Sequence, residues 1–271
     1  CGDIRERIER APLATELRAA IVDACRELNG TEHDVPVAVR SSAVSAERAE
    51  DTFAGLQDTY LWVRGAEGVV HSVRSCWASL FSIESVCHRL RLKLAEHRVA
   101  MGVVVQRMVH AHCSGILLMR NPATGDRSLI TIEASWGLGS SIVSGEVTPD
   151  RFFVSQATGE IVSRAVGDKR VQHLPDAIAG GVRQEPVPEH KRAVPCLTDD
   201  QIAALAQVGK RVARHYGSAQ DIEWAIAHGE RGVYLLQSRP ETGQTGENVN
   251  KGMPAAAAPR PHLILPARKS S

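Results

Sequence analysis

Asp221 and Glu223 are separated by a single residue, and so are Gln237 and Arg239. Successive side chains of an extended chain point to opposite faces, so each pair shares a face of its strand. Acid, amide and guanidinium on adjoining ribbons suit a magnesium-bound polyphosphate. Hard oxygen donors hold the cation while arginine forks onto anionic oxygens. A half-exposed hairpin with a surface ion pair is the plainer alternative, and these residues alone leave both readings open.

The hairpin itself is read from periodicity. Ile222, Trp224 and Ile226 alternate with Asp221, Glu223 and Ala225, the turn His228-Gly229-Glu230-Arg231-Gly232 follows, and 233–238 reads as the returning strand. Upstream, Pro12 at a plausible first turn with Leu13, Leu17, Ala20, Ile21 and Ala24 at helical spacing predicts a helix over 12–27. A short strand at 35–39 runs into Arg40, where a polar, flexible loop is expected to begin. It ends in a strand at 60–63. Helices are expected over 65–81 and 83–97, then two buried strands at 99–109 and 114–119 joined through His110 to Cys113. A strand at 128–134, a glycine-rich segment from Gly137 to Gly145 and a hairpin of 149–155 with 160–166 follow.

The stretch 174–195 reads as a surface excursion. A helix over 199–216 has Thr198 as N-cap and Ile202, Leu205, Val212 and Tyr216 inward. After Thr242 the text loses its core residues, so 243–271 reads as a disordered tail or interdomain linker.

With 271 residues the chain has room for one large domain or two small ones. Its 32 basic and 31 acidic residues leave a net charge of +1, which advertises neither a nucleic-acid nor a membrane surface. No apolar run is long enough to span a bilayer and no signal peptide is evident. The six cysteines include no CxxC pair and read as reduced core thiols of a cytoplasmic protein. The first residue is Cys1, not Met, which suggests a fragment or a processed product.

Common phosphate motifs do not account for nucleotide binding. Gly209-Lys210 is followed by Arg211 inside a helical pattern, so there is no P-loop, and Ile142 stands where a dinucleotide fingerprint after Gly137-Leu138-Gly139 needs glycine. Two segments rich in small residues remain, Arg40 to Thr59 and Gly137 to Gly145, where backbone N–H groups can approach phosphate oxygens. His110 and His112 beside Cys113 read as an ordinary strand connection, because no further ligands lie at zinc-like spacing.

Taken together, several segments form a recognisable set. They are Val37-Ala38-Val39-Arg40-Ser41-Ser42-Ala43, Phe53-Ala54-Gly55 with Asp58-Thr59-Tyr60-Leu61, Gln106-Arg107-Met108-Val109, and Asn121-Pro122. Further on come Gly137-Leu138-Gly139 with Val143-Ser144-Gly145-Glu146-Val147-Thr148-Pro149-Asp150, Asp221-Ile222-Glu223-Trp224, and Gln237-Ser238-Arg239-Pro240. In order and spacing, from about Pro12 to Thr242, the chain resembles the nucleotide-binding domain of the phosphoenolpyruvate synthase and pyruvate phosphate dikinase family. Rifampin phosphotransferase shares that domain.

The resemblance implies an α+β, ATP-grasp-like domain over 1–242, in which ATP lies between two subdomains. By match to the family's motifs, Arg40 would contact the phosphates, Gly55, Gln57, Asp58 and Thr59 would belong to the lid, and backbone groups at Met108 and Val109 would hold adenine. Glu223 and Gln237 would carry magnesium, Arg239 would meet the transferred phosphates, and Asp221 would support it. Phosphoryl transfer asks mainly for positioning and charge neutralisation, which these residue types supply.

In the family, ATP phosphorylates a histidine on a separate swivelling domain, releasing AMP and phosphate, and the group passes on to pyruvate or a drug hydroxyl. None of the eleven histidines here sits in the glycine- and serine-rich setting of such a carrier. Carrier and acceptor-binding domains are therefore expected on a separate or missing polypeptide, and the final acceptor (pyruvate, a drug or a phenol) is open. A non-catalytic remnant serving as an interaction module is the other reading. Two departures from the family pattern stand out: its extreme N-terminus, with a phosphate-contacting lysine, has no counterpart before Cys1, and Ser140 stands where an acidic residue is expected.

Overall fold

A computed structural model describes residues 1–45, 58–93, 99–176, 179–230 and 232–241. The expected lid residues Gly55 and Gln57 and the tail 243–271 lie outside them. The chain is a mixture of helices and antiparallel sheets, as an α+β reading requires, and divides into two compact units. Among the described residues no helix is long and apolar enough to cross a membrane.

The first unit holds Cys1–Met108 together with Pro175–Val182. It opens with two helices, α1 (Gly2–Arg10) and α2 (Thr15–Asn29). The second starts later than expected because Ala14 is its N-cap, leaving Pro12 outside the helix. Strand β1 (Val37–Ser45) lies between β2 (Thr59–Val63) and β3 (Val99–Arg107) in an antiparallel sheet. The loop expected to begin at Arg40 therefore starts later. Arg40 to Ser45 pair residue for residue with Val104 to Val99, and that ladder satisfies their backbone groups whatever their side-chain polarity.

Helix α3 (Gly65–Ser79) buries Val69, Val73 and Cys76 against Val37 and Val39, and α4 (Ile83–Leu92) follows, capped by Ser82. The expectation that β3 is a buried strand fails. Val104 is 42% exposed, because only the alternate face, with Val103 and Val105, packs on this cluster.

The second unit holds Val109–Leu174 and, among the described residues, 183–241. Its sheet is built from β4 (Ala111–Leu118), β5 (Leu129–Trp136), β6 (Asp150–Ser155), β7 (Ile161–Ala165), β10 (Gln220–Ala227) and β11 (Val233–Pro240). The spatial order is β11-β10-β4-β5-β6-β7, all antiparallel. The histidine connection is shorter than expected, since His112 and Cys113 already belong to β4, where Cys113 pairs with Ile226 and Trp136 on either side and His112 falls at a register irregularity.

Between β5 and β6 the chain makes a short helix, α5 (Ser140–Val143). The expected surface excursion, 174–195, starts at the end of a strand, β8 (Val171–Pro175), and carries its hairpin partner β9 (Val182–Pro186), then one turn of helix, α6 (Glu189–Arg192). It also sends Val187 into the core, fully buried, which its proline-rich polar composition does not announce.

Helix α7 (Asp199–Tyr216) starts as expected at Thr198, in a capping box completed by Gln201. Its Ile202, Leu205 and Ala206 pack on Leu117, Ile132, Phe152, Ile222 and Trp224, all from one face of the sheet. Tyr216, expected inward, is 59% exposed; it closes the last turn of the helix beside the Gly217 C-cap. Gly115 is demanded by packing. A Cβ there would stand 1.8 Å from the Glu133 carbonyl oxygen and 2.8 Å from the Trp224 ring.

Candidate functional site

With one sheet face committed to α7, alternation delivers the intervening residues to the other. Asp221 lies directly opposite Arg239, and Glu223 directly opposite Gln237, so the acid, amide and guanidinium form two adjacent cross-strand pairs. A bulge between Glu223 and Trp224 follows at once. Bulges re-aim side chains and raise local twist, here next to the polar pairs. Towards the sheet interior, Glu223 pairs with Ile116 and Ile116 with Glu133, whose Oε1 accepts a hydrogen bond from Arg151 Nε at 2.8 Å.

Arg239 Nε donates to Asp221 Oδ2 at 2.9 Å, and Nη2 donates to the same oxygen. Both side chains are well shielded, at 28% and 12% exposure, so Asp221 fixes the guanidinium by a charge-assisted contact that water screens only in part. Glu223 is 7% exposed. Glu241, just past β11, accepts the Met119 N–H at 2.7 Å and pairs with Arg120 Nε at 3.1 Å. Burial raises its carboxyl above the ordinary value, with the nearby Asp221 charge adding to the effect. Nothing in its setting, after Arg239-Pro240 and before a stretch without periodicity, marks Glu241 in the sequence.

The remaining expected residues divide between the units. Arg40 is 4% exposed on β1, opposite Thr59 of β2. Asp58 accepts from Arg5 Nη2 at 3.0 Å and from the Tyr60 hydroxyl at 3.2 Å, and its carbonyl accepts from the Ser41 hydroxyl at 3.0 Å. Burial, with the Asp58 charge behind it, pushes the Cys76 thiol up to about 12, which makes that cysteine an inert core group. The Met108 N–H is engaged with the Pro36 carbonyl at 2.9 Å, and Val109 is buried.

Two constellations in the second unit escaped sequence reasoning. Asp150 and Lys169, both fully buried, form an ion pair, and Asp150 also accepts the N–H groups of Gly167 and Cys196, each at 2.9 Å. Ser140, His173 and Glu146 are linked in series by hydrogen bonds of 2.8 and 3.1 Å. No periodicity or short-range spacing signals either group, since the members are joined only by the fold.

His110, His112 and His228 gather beside Trp136, with His228 centred 4.9 Å from His110 and 5.0 Å from His112. Among the described residues, however, no group of three or more His, Cys, Asp or Glu could hold a metal ion. Burial, then the charges of His228 and Lys191, lower the His112 pKa below 6.5; burial, then His110 and Lys191, do the same for His228. The unfolded chain thus binds more protons than the folded one as pH falls through about 6.5, so stability rises with pH there. Thermal melts are expected to show a midpoint that drops on acidification below neutrality. Replacing both His112 and His228 by asparagine should flatten that slope, and an unaltered slope would assign it to other groups.

A helix-backed antiparallel sheet whose other face orders carboxylate, amide and guanidinium side by side defines an α+β domain. The chain belongs to the family described as pyruvate phosphate dikinase, AMP/ATP-binding domain, which it matches over residues 1–258. It is 40% identical over 245 residues to a probable phosphoenolpyruvate synthase of Methanothermobacter thermautotrophicus, covering 89% of this chain and 35% of that protein. It is 42% identical over 239 residues to a rifampicin phosphotransferase of a Streptomyces species, covering 88% and 27%. A prodigiosin synthesizing transferase of Serratia marcescens is 40% identical over 243 residues, 90% of this chain and 26% of that protein. The chain thus spans about a third, or less, of the relatives it matches.

Proposed function

We propose that this chain is the ATP-binding module of a phosphoenolpyruvate synthase-like phosphotransferase, with an ATP-grasp arrangement over 1–242. The observation that carries the reading is the register of β10 on β11, which sets Asp221 against Arg239 and Glu223 against Gln237. Glu223 and Gln237 would hold magnesium, Arg239 would bind phosphate oxygens with Asp221 steadying it, and Arg40 would contact phosphate. Lid and adenine roles are assigned to Gly55, Gln57, Asp58, Thr59, Met108 and Val109.

The donor set fits that cation. One carboxylate and one amide supply hard oxygens, and magnesium ordinarily keeps waters and substrate phosphates for its other positions, so a fuller protein cage is not needed. When held by Glu223 and Gln237, the ion would supply positive charge that offsets the charge of the phosphates. Arg239 contributes an oriented, permanent positive charge already aligned before ligand arrives. The phosphoryl acceptor would be a histidine on a swivelling carrier domain, with onward transfer to pyruvate, in the cytoplasm. Relatives named for phosphoenolpyruvate and for rifampicin support a phosphotransferase, and leave pyruvate and drug hydroxyls as competing final acceptors.

Calorimetric titration with ATP tests the reading. Saturable binding is expected with magnesium and strongly weakened binding after the ion is chelated. The absence of binding with magnesium present would sink the assignment and favour an interaction module.

A further inference from the structure

The geometry points to Ser140 as an activated nucleophile toward tetrahedral phosphorus, with His173 as its general base and Glu146 as the residue that positions the imidazole. Ser140 begins α5, Glu146 ends the same glycine-rich turn, and His173 lies on β8. The series runs from Ser140 Oγ to His173 Nδ1 at 2.8 Å and from His173 Nε2 to Glu146 Oε2 at 3.1 Å.

Proton placement follows from the acceptor. An ionised carboxylate can only accept, so Nε2 carries hydrogen and donates to Glu146, which leaves Nδ1 of the neutral ring to accept the Ser140 hydroxyl proton. That is the polarity of a nucleophile, base and orienting acid. Glu146 is kept anionic mainly by a hydrogen bond from Ser144, with His173 adding to it, and its carboxyl lies below the ordinary value.

The backbone holds the series in place. The Leu138 N–H donates to the His173 carbonyl at 2.9 Å, and Gly137 bridges to His173 at a φ of 71°. A Cβ on Gly137 would come within 2.4 Å of that carbonyl oxygen, so glycine is what lets the turn carrying Ser140 close onto β8. The site is also reachable. Glu146 is exposed, and Ser140 and His173 are only partly buried.

In the step, Oγ attacks phosphorus and the O–P bond forms as the bond to the leaving group breaks, while the hydroxyl proton passes to His173 Nδ1. A fluorophosphonate probe loses fluoride; ATP attacked at its γ-phosphorus loses ADP. The second donor rests on the ATP-binding reading, the first does not.

The test treats the chain with a tagged fluorophosphonate and locates the label by peptide mass spectrometry. Label on Ser140 is expected, absent in Ser140→Ala, slowed about 100-fold in His173→Gln and slowed less in Glu146→Gln. Melting curves of each variant run alongside, so that a misfolded His173→Gln is replaced by the Glu146→Gln comparison. Failure to label Ser140, or equal rates in the folded variants, overturns the proposal. In parallel, γ-labelled ATP with magnesium is expected to leave phosphate on Ser140. A chain that binds ATP calorimetrically yet carries none excludes ATP as the donor, whereas fluorophosphonate labelling without ATP binding upholds the nucleophile and sinks the nucleotide reading.

Discussion

Arg239→Ala is expected to weaken magnesium-dependent ATP binding by about 100-fold or more while the domain still folds. Truncating one partner of a shielded, hydrogen-bonded charge pair costs on the order of 2–5 kcal/mol, and about 2.8 kcal/mol is already 100-fold. The substitution removes the cation proposed to meet phosphate and leaves the Asp221 carboxylate, 12% exposed, to repel it. Fold should survive because β11 is the edge strand of its sheet and Arg239 lies on the face away from α7. Arg239→Lys should recover only part of the affinity, since a single ammonium cannot grip Asp221 and phosphate with one planar fork. Glu223→Ala should abolish the magnesium dependence in particular. Calorimetric titration of the three variants checks all of this, and unchanged affinity in both alanine variants would remove the site assignment.

The largest stability effect is expected at Asp150. Asp150→Ala strands the fully buried Lys169 ammonium and leaves the Gly167 and Cys196 N–H groups without their acceptor. Breaking a buried ion pair from one side costs roughly 3–5 kcal/mol, and at about 2 °C per kcal/mol for a chain of this size that lowers the melting midpoint by roughly 6–10 °C. Adding Lys169→Met should restore only part of the loss, because it removes the unpaired charge and not the two orphaned donors. A midpoint for Asp150→Ala within a few degrees of the parent chain would show that the pair is not a stabilising element.

What was legible in the sequence was local. Alternation around Ile222, Trp224 and Ile226 placed the hairpin and the shared face of Asp221 and Glu223, and Thr198 marked the start of α7. These signals depend on neighbours a few residues away, where period and capping chemistry act directly. The misreadings have the opposite character. Arg40 to Ser45 look like loop in isolation and become strand because β3 supplies a partner along their whole length. Val187 sits in a proline-rich polar stretch and is nonetheless buried, and Tyr216 continues a helical stripe yet is exposed at the last turn of α7.

By itself, then, the sequence determined the family, the two-strand carrier of the polar pairs and the sidedness of that hairpin, because each is written in spacing along one segment. Only the tertiary structure decided which residues meet across the fold: Asp150 with Lys169, Ser140 and Glu146 with His173, and Glu241 with Arg120. Asp150 and Lys169 stand 19 positions apart and Arg120 and Glu241 more than a hundred. Chain segments so separated are brought together by sheet pairing and burial, and neither leaves a local pattern from which the meeting could be read.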